Sequence, residues 1–326
     1  MDVSTLTLTS AGTARHIRSL LDALPDDVEV RRYSFGGTRK GQVPVRDVGW
    51  YLFGLPHEAQ RDGVDVLHCP TQRAPIRSSV PLVVTIHDLA VLRRPETFNW
   101  WTRTYSRHAL PRVVRAARRL IAVSEFTRRE LLELLDVPAE KVRVIPNAVG
   151  PPFDTTGESA EGDYVLAVGT LEPRKNLPRL VEGFQRAALN GCELRVAGMR
   201  GWGDVEPTGD RVHWLGFVPD EELARLYRGA RAVAYVSAYE GFGLPVLEAM
   251  ACGAPVVAGR NQAAEEVSAG AAVLVDPLDP DAIAAGLAEA IDRRDELRER
   301  GLERARAFDW REVARQTVEV YREAAA

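Results

Sequence analysis

Short apolar runs rich in β-branched residues alternate along this chain with longer stretches whose apolar positions recur every three to four residues. In the first half this pattern predicts strands at Val64–His68, Pro81–Ile86, Leu120–Val123 and Val142–Ile145, and helices at Arg103–Ala117 and Ser124–Leu135. In the second half it predicts strands at Tyr164–Val168, Glu193–Ala197, Val212–Leu215 and Ala232–Val236, and helices at Leu177–Ala188, Asp220–Arg228 and Pro245–Ala251. Strict alternation of strands and helices predicts α/β architecture with parallel sheets covered on both faces.

The proline- and glycine-rich stretch Pro146–Gly162 is the best candidate for a boundary between domains. A chain of 326 residues is also long enough for two ordinary domains. We therefore predict a first Rossmann-like domain over residues 1–150 and a second over 151–308. A last helix, at 309–325, carries a possible apolar stripe at Trp310, Val313, Val318 and Tyr321.

Polar residues follow several of the predicted strands at the point where each strand ends. These residues are His87 and Asp88, Ser124, Gly169 and Thr170, and, a few positions after its strand, Glu240. Open parallel sheets bind ligands beyond the carboxyl ends of their strands. The sequence therefore predicts a ligand site built from these loops.

The most specific segment runs from Tyr239 to Glu248 and reads as a strand end, a glycine turn and a helix start. Its glycines allow close approach to a ligand, and Pro245 suits the first helical turn. Free N–H groups at the helix start would hold a diphosphate, while Glu240 and Glu248, with seven residues between them, would accept hydrogen bonds from sugar hydroxyls. The predicted diphosphate cradle comprises Gly241, Phe242, Gly243 and Leu244.

This segment resembles the donor site of the family 4 retaining glycosyltransferases, which have the GT-B fold of two Rossmann-like domains facing each other across a cleft. A second matching segment is Val168–Leu177, with its glycine turn and its Arg174-Lys175 pair. The resemblance continues through Leu215–Val218, Glu248–Val257 and Leu274–Pro277, and in the first half through Thr85–Leu89, Val123–Phe126 and Val144–Asn147. It covers nearly all of the second half.

The resemblance implies a role for each matched residue. Arg174 and Lys175 would hold the diphosphate and stabilise the leaving group, so that no metal or cofactor is needed; no Asp-x-Asp pair of the metal-dependent type contradicts this. Glu248 would bind the ribose, and Glu240 would contact the donor sugar. The remaining implied donor contacts are Gly169 and Thr170, the backbone near Phe217 and Val218 at the nucleobase, and Ser124.

In the first domain, the resemblance places His87 beside the donor sugar and makes the final helix cross back onto this domain. Gly12 and Thr13 would belong to the first phosphate-facing loop, Ser10–Arg15, although Ala11-Gly12 replaces the Gly-Gly pair usual in the family. We expect His68, at another strand end, to form a wall of the acceptor site.

Charge and composition refine this picture. Residues 1–150 carry 22 Lys and Arg against 16 Asp and Glu, whereas residues 151–326 carry 20 against 30. Three scattered cysteines and the lack of a signal peptide or a long apolar run favour a cytoplasmic protein. A basic stretch with Arg112, Arg115, Arg118 and Arg119 favours contact with an anionic membrane at the inner face of the plasma membrane, although a solvated helix face explains it equally well. Nucleic acid is not expected as a partner, because the second domain is lined by glutamates.

The predicted function is retaining transfer of a hexose, with mannose as the first candidate, from a GDP- or UDP-sugar to a glycan or lipid-linked acceptor. Two alternatives stay open: a sugar-nucleotide epimerase and a non-catalytic protein that binds nucleotide sugars. A dehydrogenase is disfavoured, since the dinucleotide fingerprint of glycines after a first strand is absent. The sequence does not distinguish a front-face reaction from double displacement, nor does it indicate the oligomeric state.

Overall fold

The computed structural model describes residues 1–8, 12–35, 45–203 and 205–326. The chain forms two compact units. Unit 1 comprises Met1–Asn147 and Trp310–Ala326, and unit 2 comprises Ala148–Asp309.

Unit 1 is built on a parallel sheet whose strands lie side by side in chain order. The strands are β1 (Leu67–Cys69), β2 (Leu82–Ile86), β3 (Arg119–Ala122) and β4 (Val142–Val144). The helices of the described part are α1 (Gly12–Ala23), α2 (Leu55–Arg61), α3 (Ala90–Arg93), α4 (Trp100–Ala116), α5 (Glu125–Leu135) and α12 (Trp310–Ala325), with a π-helical segment at Val45–Gly54. Every residue of β1 and β2 is buried, as expected for strands covered on both faces.

The final helix, α12, packs within unit 1, where it contacts α1, β2 and β3. Val313 and Val318 are buried, and so are Val320 and Ala324. Near the end of the helix, the Glu323 carboxylate pairs with Arg119 and Arg143 at 3.1 and 2.5 Å. The last turns of the chain are therefore part of the core of unit 1 and of its polar edge.

Deletion of residues 310–326 is expected to unfold unit 1 while leaving unit 2 folded. Each large apolar side chain uncovered costs roughly 1.5–3 kcal/mol, so several of them approach the whole stability of a domain. Calorimetry and limited proteolysis should show that unit 1 is lost first while unit 2 stays folded and resistant. A truncated protein in which unit 1 melts and resists proteolysis as in the full chain would contradict this expectation.

Unit 2 is built on a larger parallel sheet with the strand order β10-β9-β8-β5-β6-β7. Its strands are β5 (Tyr164–Val168), β6 (Glu193–Ala197), β7 (Val212–Gly216), β8 (Ala232–Tyr235), β9 (Val256–Gly259) and β10 (Val273–Val275). Its helices are α6 (Leu177–Arg186), α7 (Asp220–Gly229), α8 (Leu244–Ala251), α9 (Gln262–Ser268), α10 (Pro280–Asp292) and α11 (Arg294–Ala305).

The order of these strands reverses between β5 and β8, which are hydrogen-bonded neighbours. From β5 the chain proceeds outward through β6 and β7, and from β8 it proceeds in the other direction through β9 and β10. The loops that leave neighbouring strands at such a switch point diverge and open a crevice for a ligand. The loops after β5 and β8 are therefore the place to look for a site.

Candidate active site

The loop that leaves β5 begins with Gly169 and Thr170 and passes directly beneath Lys175. Gly169 has a φ of 148°, and a Cβ added there would lie 3.2 Å from the Cε atom of Lys175. On the neighbouring strand end, a Cβ at Gly198 would lie only 1.9 Å from the carbonyl oxygen of Gly169. Glycine at 169 and 198 is thus required for this close packing, which lets the lysine lie against the loop.

Arg174 and Lys175 lie in one 3-10 turn, Pro173–Lys175, just before helix α6. Asn176 follows in the left-handed region, with φ at 60°, and its side-chain amide donates to the carbonyl oxygens of Val236 and Pro277. These bonds fix the turn to the chain segments that leave β8 and β10. The two cations are consequently held close to that segment.

Glu240, on the loop after β8, receives both cations. Its Oε1 lies 2.6 Å from the Nζ of Lys175, and its Oε2 lies 2.9 Å from the Nη1 of Arg174. Lys175 also donates to the hydroxyl of Tyr235 at 2.9 Å, and the Nε of Arg174 lies 2.6 Å from the buried carboxylate of Glu172. The structure therefore brings together three of the residues predicted from the sequence and adds Glu172 and Tyr235.

Burial and charge act in opposite directions on this cluster. Burial tends to raise the pKa of Glu240, but Arg174 and Lys175 outweigh it and lower that pKa to about 2. Burial lowers the pKa of Lys175, and the charge of Glu240 opposes this shift. The carboxylate of Glu240 is therefore ionised at neutral pH and fully engaged by its two partners.

Helix α8 begins directly after the same loop, and Gly243 precedes it with a φ of 105°. Pro245 is the second residue of the helix, where a missing N–H has no cost. The amide of Leu244 opens the first turn and has no acceptor within its own helix. Phe242, by contrast, is buried edge-to-face against Phe308 at 5.8 Å, so its side chain serves packing rather than ligand contact.

Glu248 lies further along α8 and is separate from the Arg174–Lys175–Glu240 cluster. Its side chain is buried, and its Oε2 accepts a hydrogen bond of 3.1 Å from the hydroxyl of Tyr227. Phe217, on the loop after β7, is 53% exposed, and Trp214 and Leu215 beside it are also exposed. The contact of the backbone near Phe217 and Val218 with a nucleobase stays a prediction.

Substituting Glu248 by alanine is expected to weaken binding of a bare nucleoside diphosphate by about 10- to 100-fold, the cost of a hydrogen bond to a charged group. Tyr227→Phe serves as the matched control, because it removes only the hydroxyl that contacts the carboxylate in the ligand-free protein. Calorimetric titration measures both. Unchanged affinity in Glu248→Ala would exclude the ribose contact.

In unit 1, His87 follows β2, and its Nε2 lies 3.0 Å from the carbonyl oxygen of Pro70. A carbonyl only accepts, so Nε2 carries the proton of the neutral ring and Nδ1 is left as an acceptor. Burial lowers the pKa of His87, which favours this neutral form. The next residue, Asp88, accepts a hydrogen bond from the amide of Ala90 and so caps the following turn.

His16, on α1, packs against His87 and was not identified from the sequence. The two rings meet edge-to-face at 4.8 Å, and the Nδ1 of His16 lies 2.7 Å from the Oδ1 of Asn147. The ring of Trp310 lies 5.4 Å away on another side. No local pattern marks such a histidine, because its partners come from distant parts of the chain.

Other first-domain candidates have local structural roles in unit 1. Ser124 is buried and caps α5 by accepting a hydrogen bond from the amide of Thr127. Gly12 and Thr13 form the first turn of α1, whereas Ser10 and Ala11 lie outside the described residues. The ring of His68 is buried and bonds to Tyr321 at 2.7 Å and to Thr85 at 2.9 Å, and its place in the wall of the acceptor site stays a prediction.

Comparison with known proteins matches each unit to a glycosyltransferase family. A sequence profile described as glycosyl transferases group 1 matches residues 153–308, and one described as glycosyltransferase family 4 matches residues 10–151. The chain is 34% identical to O-antigen chain mannosyltransferase B of Escherichia coli, over 81% of this chain and 76% of the relative. It is 30% identical to the MMP alpha-(1→4)-mannosyltransferase of Mycolicibacterium hassiacum, over 84% of this chain and 71% of the relative.

Solved structures show the same fold at low sequence identity. Sucrose-phosphate synthase from Thermosynechococcus elongatus superposes with a TM-score of 0.76 at 20% identity, covering 96% of this chain and 93% of that chain. HepE of Anabaena, in complex with UDP and glucose, gives 0.75 at 19% identity and covers 96% of each chain. With a GT-B fold and matches to both profiles, the chain belongs to the family 4, group 1 glycosyltransferases.

Proposed function

We propose that this glycosyltransferase moves a hexose, with mannose as the first candidate, from a GDP- or UDP-sugar to a glycan or lipid-linked acceptor with retention of configuration. The observation that carries the proposal is the cluster of Arg174, Lys175 and Glu240 at the switch point of unit 2. The two mannosyltransferase relatives support the choice of sugar, and the HepE structure with UDP and glucose supports a nucleotide-sugar donor.

The two cations supply the chemistry expected of a leaving-group site. Arg174 and Lys175 would bind the diphosphate and balance the negative charge that grows on it as the bond to the sugar breaks. Glu240 holds both cations in place. With donor bound, its carboxylate would stabilise the positive charge that develops on the sugar ring.

Retention is proposed to follow a front-face course. Both oxygens of Glu240 are engaged by cations, which makes this carboxylate a weak nucleophile for double displacement. In the front-face course the bond from the sugar to the diphosphate oxygen breaks, and the acceptor oxygen bonds to the same face of the anomeric carbon. The acceptor proton passes to the departing phosphate oxygen. The role of His87 beside the donor sugar stays a prediction, which a His87→Ala variant would test through turnover.

Product analysis with a panel of UDP-, GDP- and dTDP-sugars tests the proposal. A matching donor raises the melting temperature by mass action and should yield a new glycoside with the anomeric configuration of the donor. Turnover should persist in the presence of EDTA, because Arg174 and Lys175 would balance the charge of the diphosphate without a metal ion. Release of an altered sugar without acceptor would indicate an epimerase, binding without product would indicate a non-catalytic protein, and activity restored only by magnesium would contradict the metal-free course.

We also propose that the protein works in the cytoplasm at an anionic membrane face. In the described residues no helix is long and apolar enough to cross a bilayer. Helix α4 carries exposed Arg112 and Arg115, and Trp100 at its start is 66% exposed. Arg119 does not belong to this surface, since it lies on β3 and pairs with Glu323. Flotation with phosphatidylglycerol vesicles, but not with phosphatidylcholine vesicles, is the expected result, and equal behaviour with both would contradict the proposal.

A further inference from the structure

A fully buried carboxylate in unit 1, Asp47, is shared by two arginines. The guanidinium of Arg46 reaches the Oδ1 of Asp47 through Nε at 3.0 Å and Nη2 at 2.9 Å. The Nε of Arg73 approaches the same oxygen at 3.3 Å. Arg46 alone already provides Asp47 with a close ion pair, so Arg73 is a second cation on one anion.

The frame around Asp47 is supplied by helix α4. The indole Nε1 of Trp101 donates to the Oδ2 of Asp47 at 3.0 Å, and the hydroxyl of Tyr105 donates to its main-chain oxygen at 3.1 Å. Both carboxylate oxygens and the main-chain carbonyl are therefore engaged. Such a network holds Asp47 in place and thereby fixes the position of Arg73, which contacts its carboxylate.

The charges of this cluster do not balance. The other buried carboxylate nearby, Asp2, accepts hydrogen bonds from the hydroxyls of Ser4 at 2.6 Å and Tyr51 at 3.0 Å, and it forms no ion pair with either arginine. Residues 36–44, which the structure does not describe, contain no Asp or Glu in the sequence. One positive charge therefore has no carboxylate partner among the described residues, and a partly buried charge favours a counter-ion.

Arg73 is the member of the pair that a ligand can reach. Its side chain is 30% exposed, whereas that of Arg46 is 6% exposed. Its Nε faces Asp47, and its two terminal nitrogens make no hydrogen bond to the part of unit 1 that the structure describes. Arg73 also lies on the loop that leaves β1, the loop whose Pro70 carbonyl accepts the hydrogen bond of His87. The arginine thus shares an edge of the sheet with that histidine.

We infer that Arg73 binds an oxyanion, a phosphate or carboxylate group, of the acceptor, with Asp47 as the residue that positions its guanidinium. The planar fork of an arginine matches such groups with two parallel hydrogen bonds, and the excess positive charge favours an anion over a neutral sugar. The assignment of this anion to the acceptor rests on the proposed sugar transfer. The anion site itself stands independently of turnover.

The first experiment measures anion binding in a Lys175→Ala background, which weakens the diphosphate site of unit 2. Inorganic pyrophosphate should raise the melting temperature of this protein, and Arg73→Gln should abolish that rise. Arg77→Gln, at an exposed arginine of the same region, is the matched control and should retain it. Because the readout does not involve sugar transfer, it separates this inference from the proposed function. An equal rise with and without Arg73, or no rise at all, would overturn the anion site.

The second experiment separates the acceptor from the donor in the otherwise native enzyme. Arg73→Gln should raise the KM for the acceptor about 10-fold or more, the effect of losing a hydrogen bond between charged groups, and should leave the KM for the nucleotide sugar within about twofold. Arg73→Lys should lie between, because it keeps the charge but loses the fork. Equal changes in both KM values would assign Arg73 to the support of the fold instead.

Discussion

Substituting Lys175 by alanine is expected to reduce turnover by about 10²- to 10³-fold while leaving the protein folded. The lysine donates to Glu240 and Tyr235 and packs against the glycine loop that leaves β5. Removing one positive group from a developing leaving-group charge costs about 2–4 kcal/mol of transition-state stabilisation. We expect Arg174→Ala to have an effect of similar size, measured as steady-state kcat with saturating donor.

Arg186→Ala provides the comparison for these variants. Arg186 lies on α6, the helix that follows the turn of Arg174 and Lys175. It is exposed and pairs with Glu182 and Asp281. Its loss should change turnover less than about twofold, since exposed ion pairs contribute little. Near-normal turnover in both Lys175→Ala and Arg174→Ala would remove the diphosphate role from the pair.

Replacing Glu240 by glutamine is expected to lower the free energy of unfolding by about 3–5 kcal/mol, the usual cost of leaving a buried charge without its partner. Two cations would then lie side by side without a carboxylate between them. Turnover should also fall strongly, because the sugar loses its negative neighbour. Chemical denaturation and steady-state rates measure the two effects.

The acid dependence of this stability has a defined direction. The pKa of Glu240 is about 2 in the folded protein and near 4.5 in an ordinary environment, so the ionised form stabilises the fold. That contribution is complete above about pH 4.5 and is lost as the pH falls towards 2. The wild-type protein should therefore lose stability more steeply than Glu240→Gln in this window, and parallel acid profiles would show that the pair contributes nothing.

The two segments that carry this cluster were predictable because each is marked within a short stretch of sequence, although the cluster itself joins residues 65 and 66 positions apart. Strand ends, glycine turns and the spacing of Glu240 and Glu248 all lie within short segments. Glu172 was missed because a glutamate before a proline looks like a solvent-exposed loop residue, and only the folded turn places it against Arg174. Strands β9 (Val256–Gly259) and β10 (Val273–Val275) were not predicted as strands.

The first unit was harder to predict because its contacts connect distant segments. His68 bonds to Tyr321, and His16 bonds to Asn147, across separations of 253 and 131 residues. No periodicity in the sequence reports such a pair. From the sequence, Arg119 was expected to extend the basic helix. In the structure it is the first residue of β3 and pairs with Glu323. The Asp47 cluster was missed for the same reason.

Unit 2 is one uninterrupted piece of chain, whereas unit 1 is made of two pieces that flank it. During synthesis, domains generally fold as their chain emerges, at about 5–20 residues per second. Unit 2 can therefore complete its core while unit 1 still lacks α12. Until residues 310–326 leave the ribosome, the apolar surface that α12 covers stays open to solvent. The nascent protein is thus expected to be most prone to aggregation late in translation, and a pause near residue 309 would lengthen that vulnerable interval.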